Sequence, residues 1–257
     1  MDLTISTLAL ESFLLVVARA AGFCVTAPLF SHKSVNTRLR VLIAACISIS
    51  IYSSMDLQLP QYESVLGFSF LILKELAVGL SIGFVASLTM SMLVLAGEFI
   101  DREIGFTMAT TFDPSKGAMV TITAELYDKL IYAAILISNL HFYIISALAQ
   151  SFGLVPVGRV NIQISGFLSN SIRFVGQYFS IGFRIAMPVF IGATIVNVIL
   201  GILTKSSPQM NMFSVGMQIK VIAGLLVMTI AIMFVPNIAN YLMERMQEML
   251  QAVMGAI

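Results

Sequence analysis

The sequence predicts an all-α membrane protein, and three observations lead to that prediction. Hydrophobic residues make up 58% of the 257 residues and charged residues 11%, whereas soluble domains carry about 25% charged residues. The mean hydropathy is +0.96. The apolar residues form continuous runs, and a β-barrel would instead show short alternating segments. The net charge of +1 gives no electrostatic reason to expect nucleic acid as a partner.

Six apolar blocks along the chain predict about six hydrophobic helices. They lie at about Leu8–Phe30, Leu39–Met55, Val65–Ala96, Leu126–Ala149, Phe174–Leu203 and Val215–Tyr241. All except the second reach the roughly 20 residues that cross a bilayer. The third and fifth are long enough to tilt, kink or break. Basic residues concentrate in the connectors after the first, third and fifth blocks. If all six blocks cross the membrane, the positive-inside rule predicts that both termini face outside.

Proline and glycine positions predict how these helices bend and pack. Pro188 and Pro236 lie inside the fifth and sixth blocks, so each predicts a kink or a break. Gly79 and Gly83 lie four residues apart on one helical face, which favours close contact with another helix. The same stretch matches the G-x-S-x-G motif of hydrolases. That motif needs a strand-to-helix turn to expose its serine, so helix packing is the favoured interpretation.

Five charged residues lie inside or at the edges of the apolar blocks: Arg19, Lys74, Glu75, Glu98 and Arg184. A charge inside hydrocarbon costs several kcal/mol unless it is paired or hydrated. Pairing between helices is the favoured interpretation. A proton or ion relay, or placement outside the hydrocarbon, are the alternatives.

The segment Gly97–Gly117 separates the third block from the fourth and has two parts. Gly97–Glu103 is rich in charge. Gly105–Phe112 is apolar and contains small and β-branched residues, and Asp113 and Pro114 close it. This composition predicts a charged helix end that contacts its neighbours, followed by a pliable loop with apolar bulk. An ordinary connecting loop is the alternative that the residues alone leave open.

No residue pattern predicts catalysis, a cofactor or a metal site. Cys24 and Cys46 lie in apolar runs without metal-ligand spacing, and His141 is expected to be a structural histidine. The chain has no H-E-x-x-H motif, no P-loop and no nucleotide-binding glycine fingerprint. The sequence therefore predicts a non-enzymatic protein.

Three groups of residues resemble the FliR family of flagellar export-gate proteins, which has counterparts of the SctT type in virulence type III secretion. The groups are Arg19 with Pro28; Ala96-Gly97-Glu98, Asp101, Gly105-Phe106 and Asp113-Pro114; and Lys205, Pro208-Gln209, Asn211, Phe213 and Gly216. Their order and spacing agree with the family, and the resemblance covers essentially the whole chain.

The resemblance implies a subunit of a protein export gate in the bacterial inner membrane, at the flagellar basal body. It implies long bent helical hairpins: a FliP-like part at residues 1–166 and a FliQ-like hairpin at 167–257. The implied partners are FliP-type and FliQ-type subunits, a FlhB-type switch protein and unfolded export substrates. In the family the assembly stands largely above the membrane plane, so the charges can contact other subunits rather than lipid.

The resemblance also implies roles for particular residues. The loop 105–117 would plug the pore, with Gly105, Phe106, Met108, Phe112, Asp113 and Pro114 as its gate residues. The expected subunit contacts are Arg19, Lys74, Glu75, Glu98, Asp101, Arg184, Lys205, Pro208, Gln209 and Asn211. The alternatives are a secondary transporter of small solutes, which broken helices and charges within the membrane would suit, and a structural scaffold whose loop does not reach a pore.

Overall fold

The computed structural model describes residues 7–32, 35–54, 64–108, 110–113, 118–160, 164–206 and 212–255. Over this part of the chain the protein is almost entirely helical, so the all-α prediction is confirmed. The helices are α1 Thr7–Thr26, α2 Thr37–Ser54, α3 Val65–Ile104, α4 Ile122–Ile137, α5 His141–Leu154, α6 Ile164–Ser206, α7 Met212–Ile232 and α8 Val235–Met254. A short 3₁₀ turn, Phe106–Met108, and two strands, β1 Thr110–Asp113 and β2 Ala118–Thr121, lie between α3 and α4.

The six predicted blocks correspond to six helical segments, two of which are bent. Four described helices, α1, α2, α3 and α6, are long and apolar enough to cross a membrane. The fourth block forms α4 and α5, which meet at 73°, and the sixth forms α7 and α8, which meet at 66°. If each bent pair counts as one span, there are up to six candidate spans, as the sequence predicts.

Local backbone chemistry explains where the helices bend. Between α4 and α5, Asn139 has a φ of 57°, a left-handed conformation that asparagine tolerates. Pro236 lies in the first turn of α8, where a missing N–H costs nothing, so the predicted break near Pro236 is confirmed. A break at Pro188 is wrong, because α6 continues through that residue from Ile164 to Ser206.

The chain divides into two compact units. The first unit contains Met1–Thr89, His141–Phe174 and Met243–Ile257, and the second contains Met90–Leu140 and Val175–Leu242. The predicted division into a FliP-like and a FliQ-like part follows the order of the sequence rather than spatial contact, and it stays a prediction.

In the first unit, α1 packs against both α2 and α3. The hydroxyl of Tyr52 on α2 donates a hydrogen bond to the carbonyl of Ala9, 3.2 Å away, and the ring of Tyr52 meets that of Phe13 edge to face. The contact with α3 is tighter: a Cβ atom placed on Gly79 would lie 2.0 Å from the carbonyl oxygen of Arg19. The predicted role of Gly79 and Gly83 in close helix packing is therefore confirmed, because Gly83 has equally little room, against Thr26.

In the second unit, the end of α3 packs against α4, α6 and α7. Gly97 lies directly on the backbone of Ala124, at the start of α4. The rings of Phe99 and Phe183 meet edge to face at 5.9 Å, and Gly224 on α7 packs against the side chain of Ile104.

Large apolar side chains remain exposed along several helices. Val41 on α2 is 64% exposed, Ile202 on α6 is 63% exposed and Leu226 on α7 is 63% exposed. Apolar patches of this kind on a single chain mark surfaces that lipid or other proteins cover. This exposure agrees with the membrane location that the composition predicts.

The close contact at Gly79 gives a test of the packing. We expect Gly79→Ala to reduce stability by about 1–3 kcal/mol, because the added methyl group overpacks the contact with α1. Gly153→Ala on α5 is the matched control, since nothing lies within 4 Å of a Cβ atom there; it should be neutral or stabilising, because alanine favours helix. Unfolding in detergent, followed by circular dichroism, measures both. Equal stability of the two variants would contradict the packing.

Candidate functional site

A buried ion pair lies in the core of the first unit. Nε of Arg19 on α1 donates to Oε2 of Glu75 on α3 at 2.6 Å, and both side chains are 0% exposed. Nη1 of Arg19 also donates to the backbone carbonyl of Ser151 at 3.1 Å and to its hydroxyl at 3.3 Å. The guanidinium lies 4.2 Å from the ring centre of Phe152. Arg19 therefore joins α1, α3 and α5 through one side chain.

The other oxygen of Glu75 fixes the segment that follows α5. Its Oε1 accepts a hydrogen bond from the backbone N–H of Gly158 at 2.8 Å. The neighbouring Lys74 donates to the carbonyl of Val160 at 3.2 Å. A buried ion pair is stable only when further hydrogen bonds satisfy its polar atoms. The carboxylate of Glu75 meets this requirement, because both of its oxygens accept a hydrogen bond. In contrast, Nη2 of Arg19 is buried without a hydrogen-bond partner among the described residues.

A second buried carboxylate, that of Asp101, lies in the second unit and caps α4. Its Oδ2 accepts the backbone N–H of Thr123 at 2.9 Å, and its Oδ1 accepts the hydroxyl of the same residue. Thr121 occupies the N-cap position of α4 but makes no side-chain cap bond. Asp101 thus supplies from α3 the acceptor that a helix start needs, and its negative charge faces the positive end of the helix dipole.

Asp101 also holds the beginning of the segment between α3 and α4. Its backbone carbonyl accepts the N–H of Gly105 at 3.0 Å and the hydroxyl of Thr107 at 3.4 Å. Gly105 has a φ of 96°, a conformation that favours glycine, and it ends α3. One residue therefore holds both ends of the segment.

The segment itself is more ordered than the sequence predicts. Strands β1 and β2 pair in antiparallel register, from Thr110 opposite Thr121 to Asp113 opposite Ala118. The prediction of a pliable loop is therefore wrong for these strands, because the chain before residue 114 pairs with the chain after residue 117. Phe106 is half-buried in the 3₁₀ turn. Met108, Phe112 and Asp113 lie on the described backbone, and Pro114 lies outside the described residues.

The predicted contact residues separate into buried and exposed sets. The side chains of Arg19, Glu75 and Asp101 are fully buried, and their described bonds lie within the chain. These bonds agree with the expected pairing between helices, and contact of these residues with another subunit stays a prediction. The exposed set is Lys74, Glu98, Arg184 and Lys205. Pro208, Gln209 and Asn211 lie outside the described residues.

Sequence reasoning missed the residues that complete the two buried sites. Ser151 and Gly158 contact the ion pair from positions far along the chain, and nothing in their local sequence indicates this role. The same holds for Thr123, because its acceptor Asp101 lies 22 residues away and no local pattern indicates that pairing.

The fold and the two sites define a class: a helical membrane protein with buried charges and a short hairpin held at the end of a long helix. The sequence pattern described as "Bacterial export proteins, family 1" matches residues 10–246. The chain therefore belongs to this family, and it is a protein export component.

Three relatives, each named "Flagellar biosynthetic protein FliR", share most of their length with this chain. The protein from Bacillus subtilis strain 168 is 28% identical over 94% of this chain and 95% of its own length. The one from Aquifex aeolicus is 29% identical over 90% and 89%. The one from Escherichia coli K12 is 24% identical over 93% and 91%. The resemblance seen in the sequence is confirmed.

The buried ion pair predicts a strong coupling between its two members. We expect Arg19→Met and Glu75→Leu each to destabilise the chain by about 3–5 kcal/mol, because each leaves one buried charge without its partner. The double variant should lose less than the sum of the two, since it leaves neither charge. A double-mutant cycle of unfolding in detergent measures this coupling. Additive losses would show that the two side chains act independently.

The cap from Asp101 makes a local prediction. We expect Asp101→Ala to destabilise the start of α4 by about 1–3 kcal/mol, because it leaves the buried amide and hydroxyl of Thr123 without their acceptor. Amide hydrogen exchange should accelerate at residues 121–125. Glu98→Ala is the control, since Glu98 is exposed on the same helix. Unchanged exchange in the Asp101 variant would rule out the cap.

Proposed function

We propose that this chain is a non-enzymatic subunit of the flagellar type III protein export gate in the bacterial inner membrane. In this role it closes a helical pore assembly with FliP-type and FliQ-type subunits, next to a FlhB-type switch protein, and unfolded export substrates pass through the pore. The segment at residues 105–117, which includes strand β1 of the hairpin, plugs the pore at rest. The observation that carries the proposal is this hairpin, held at both ends by Asp101 in a chain of an export family.

The exposed apolar helices support an obligate subunit. A chain that worked alone in water would not leave Val41 and Ile202 more than half exposed. Partner helices would bury these faces. The exposed charges Lys74, Glu98 and Lys205 then become the proposed contacts, together with Pro208, Gln209 and Asn211. The long α6 followed within a few residues by α7 supports the two-helix layout proposed for the FliQ-like part.

The chemistry of the hairpin segment supports a plug. Gly105 ends α3 abruptly and redirects the chain. Phe106, Met108 and Phe112 bring apolar bulk, and a hydrophobic constriction stops ions by excluding water. The antiparallel pairing of β1 with β2 orders the backbone that carries Phe112, which a fully flexible loop would not do. The name of the relatives, "Flagellar biosynthetic protein FliR", supports the flagellar system.

Deleting residues 106–112 tests the role. We expect the tagged wild-type chain to copurify with coexpressed FliP-type and FliQ-type subunits, and the deletion variant to retain them but leak ions, because the apolar seal is gone. Copurification on affinity resin and ion conductance of the assembled complex in planar bilayers measure the two effects. Gly153→Ala, away from the segment, is the control, and its complex should conduct no more ions than the wild-type complex.

The outcomes separate the two parts of the proposal. A wild-type chain that is stable alone and captures neither partner would overturn the subunit role and favour a transporter. A deletion variant that assembles and remains as tight as the wild type would overturn the plug. Replacing 106–112 with glycine and serine residues of equal number should leak as the deletion does, since the linker restores length but not apolar bulk.

A further inference from the structure

The second unit contains a cavity of about 450 Å³ that the export role leaves unused. Polar side chains from three helices line it: Tyr127 from α4, Arg184 from α6, and Asn237 and Tyr241 from α8. The body of the cavity is apolar and includes Pro188, Val227 and Ile230. A cavity with an apolar body and a few polar groups is typical of a ligand site.

The charge on Arg184 gives the cavity a preference for anions. Its Nη1 donates to the hydroxyl oxygen of Tyr241 at 3.3 Å, which is a neutral acceptor. The ion pairs that join described residues involve other side chains, and none of the described lining residues is acidic. The guanidinium is always charged and presents a planar fork of donors that suits phosphate or carboxylate, and the amide of Asn237 can add a further donor.

The position of Arg184 along α6 matches the edge of a membrane. The following run, Ile185–Leu203, contains 19 residues and no charged side chain, about the length that crosses a bilayer. The helix α7, which packs against α6 at Gly192, has 21 residues. At its end the chain bends by 66° into α8, which carries Tyr241. Arginine and tyrosine are the residues expected at the headgroup level where such apolar helices end.

The size of the cavity suits a small-molecule occupant. Its volume of about 450 Å³ lies within the range of about 300–1,000 Å³ that is typical of ligand sites. An anionic lipid matches both the lining and the charge, since its acyl chain is apolar and its phosphate is an acceptor for the guanidinium of Arg184.

We propose that this cavity binds one anionic phospholipid. The phosphate lies against the guanidinium of Arg184 and the hydroxyl of Tyr241, and one acyl chain lies along Pro188, Val227 and Ile230. This proposal replaces the expected contact of Arg184 with another subunit by a contact with lipid. It does not depend on the export role.

Native mass spectrometry of the purified full chain tests the proposal. After delipidation in detergent, the chain is mixed with phosphatidylglycerol, with phosphatidylcholine or with inorganic phosphate. We expect about one phosphatidylglycerol per chain, bound several-fold more tightly than phosphatidylcholine, because the choline cation offsets the phosphate charge. Inorganic phosphate should not displace the lipid, since it lacks the acyl chain.

Two variants separate the headgroup contact from the chain contact. Arg184→Gln should weaken phosphatidylglycerol binding about tenfold or more, as expected for loss of a charge-assisted hydrogen bond. Val227→Trp should weaken it by filling the cavity while the charge remains. Arg173→Gln is the matched control, because Arg173 is exposed on the same helix and does not line the cavity. Circular dichroism checks that each variant is folded.

Several results would overturn the proposal. Equal retention of the two lipids, or full binding by folded Arg184→Gln, would show that the charge of Arg184 does not determine lipid binding. Displacement by inorganic phosphate would reduce the site to a simple anion site. If the complex coexpressed with FliP-type and FliQ-type subunits carries no lipid and loses a subunit on Arg184→Gln, the cavity binds a protein carboxylate instead.

Discussion

A charge that is fully buried inside an apolar helix needs a partner within reach of its own side chain, and this constraint organises both units. Arg19 and Glu75 meet because neither could be buried alone: an unpaired buried charge costs more than the folded state can spare. Asp101 is buried for a related reason, since the start of α4 offers it an amide, a hydroxyl and a favourable dipole. Arg184 is the contrasting case, because its described partner is a neutral phenol. A guanidinium whose described partner is neutral keeps its charge available to a ligand.

Close backbone approach and charge burial belong to the same contact in the first unit. A bond of 2.6 Å between Arg19 and Glu75 requires α1 and α3 to lie close together. Gly79 permits this, because any side chain there would strike the carbonyl oxygen of Arg19. The glycine and the ion pair are one turn apart on α3, so a change at either position strains the other. Glu75 also holds the segment after α5, because it accepts the backbone N–H of Gly158, which lies 83 residues further along the chain.

Periodic and compositional features could be predicted from the sequence, and pairings distant in sequence could not. Six apolar blocks and the break near Pro236 follow from hydropathy and from the missing proline N–H. The partner of Arg19 lies 56 residues away, and no local pattern encodes that distance. The sequence predicts a pliable loop rather than a hairpin here, because Gly105 and the small residues after it favour flexibility. In the observed register Thr111 lies opposite Val120, and such β-branched residues favour strands.

The attachment of the hairpin at Asp101 limits how a plug could open. The backbone carbonyl of this residue holds Gly105, and its carboxylate holds Thr123, so the two ends of the segment cannot separate without breaking buried hydrogen bonds. Uncapping α4 would also leave the polar groups of Thr123 unsatisfied in a buried site. A movement of the paired strands between these ends would leave both attachments intact. In the proposed gate, a substrate would displace the hairpin from the pore while its base stayed attached to α3 and α4.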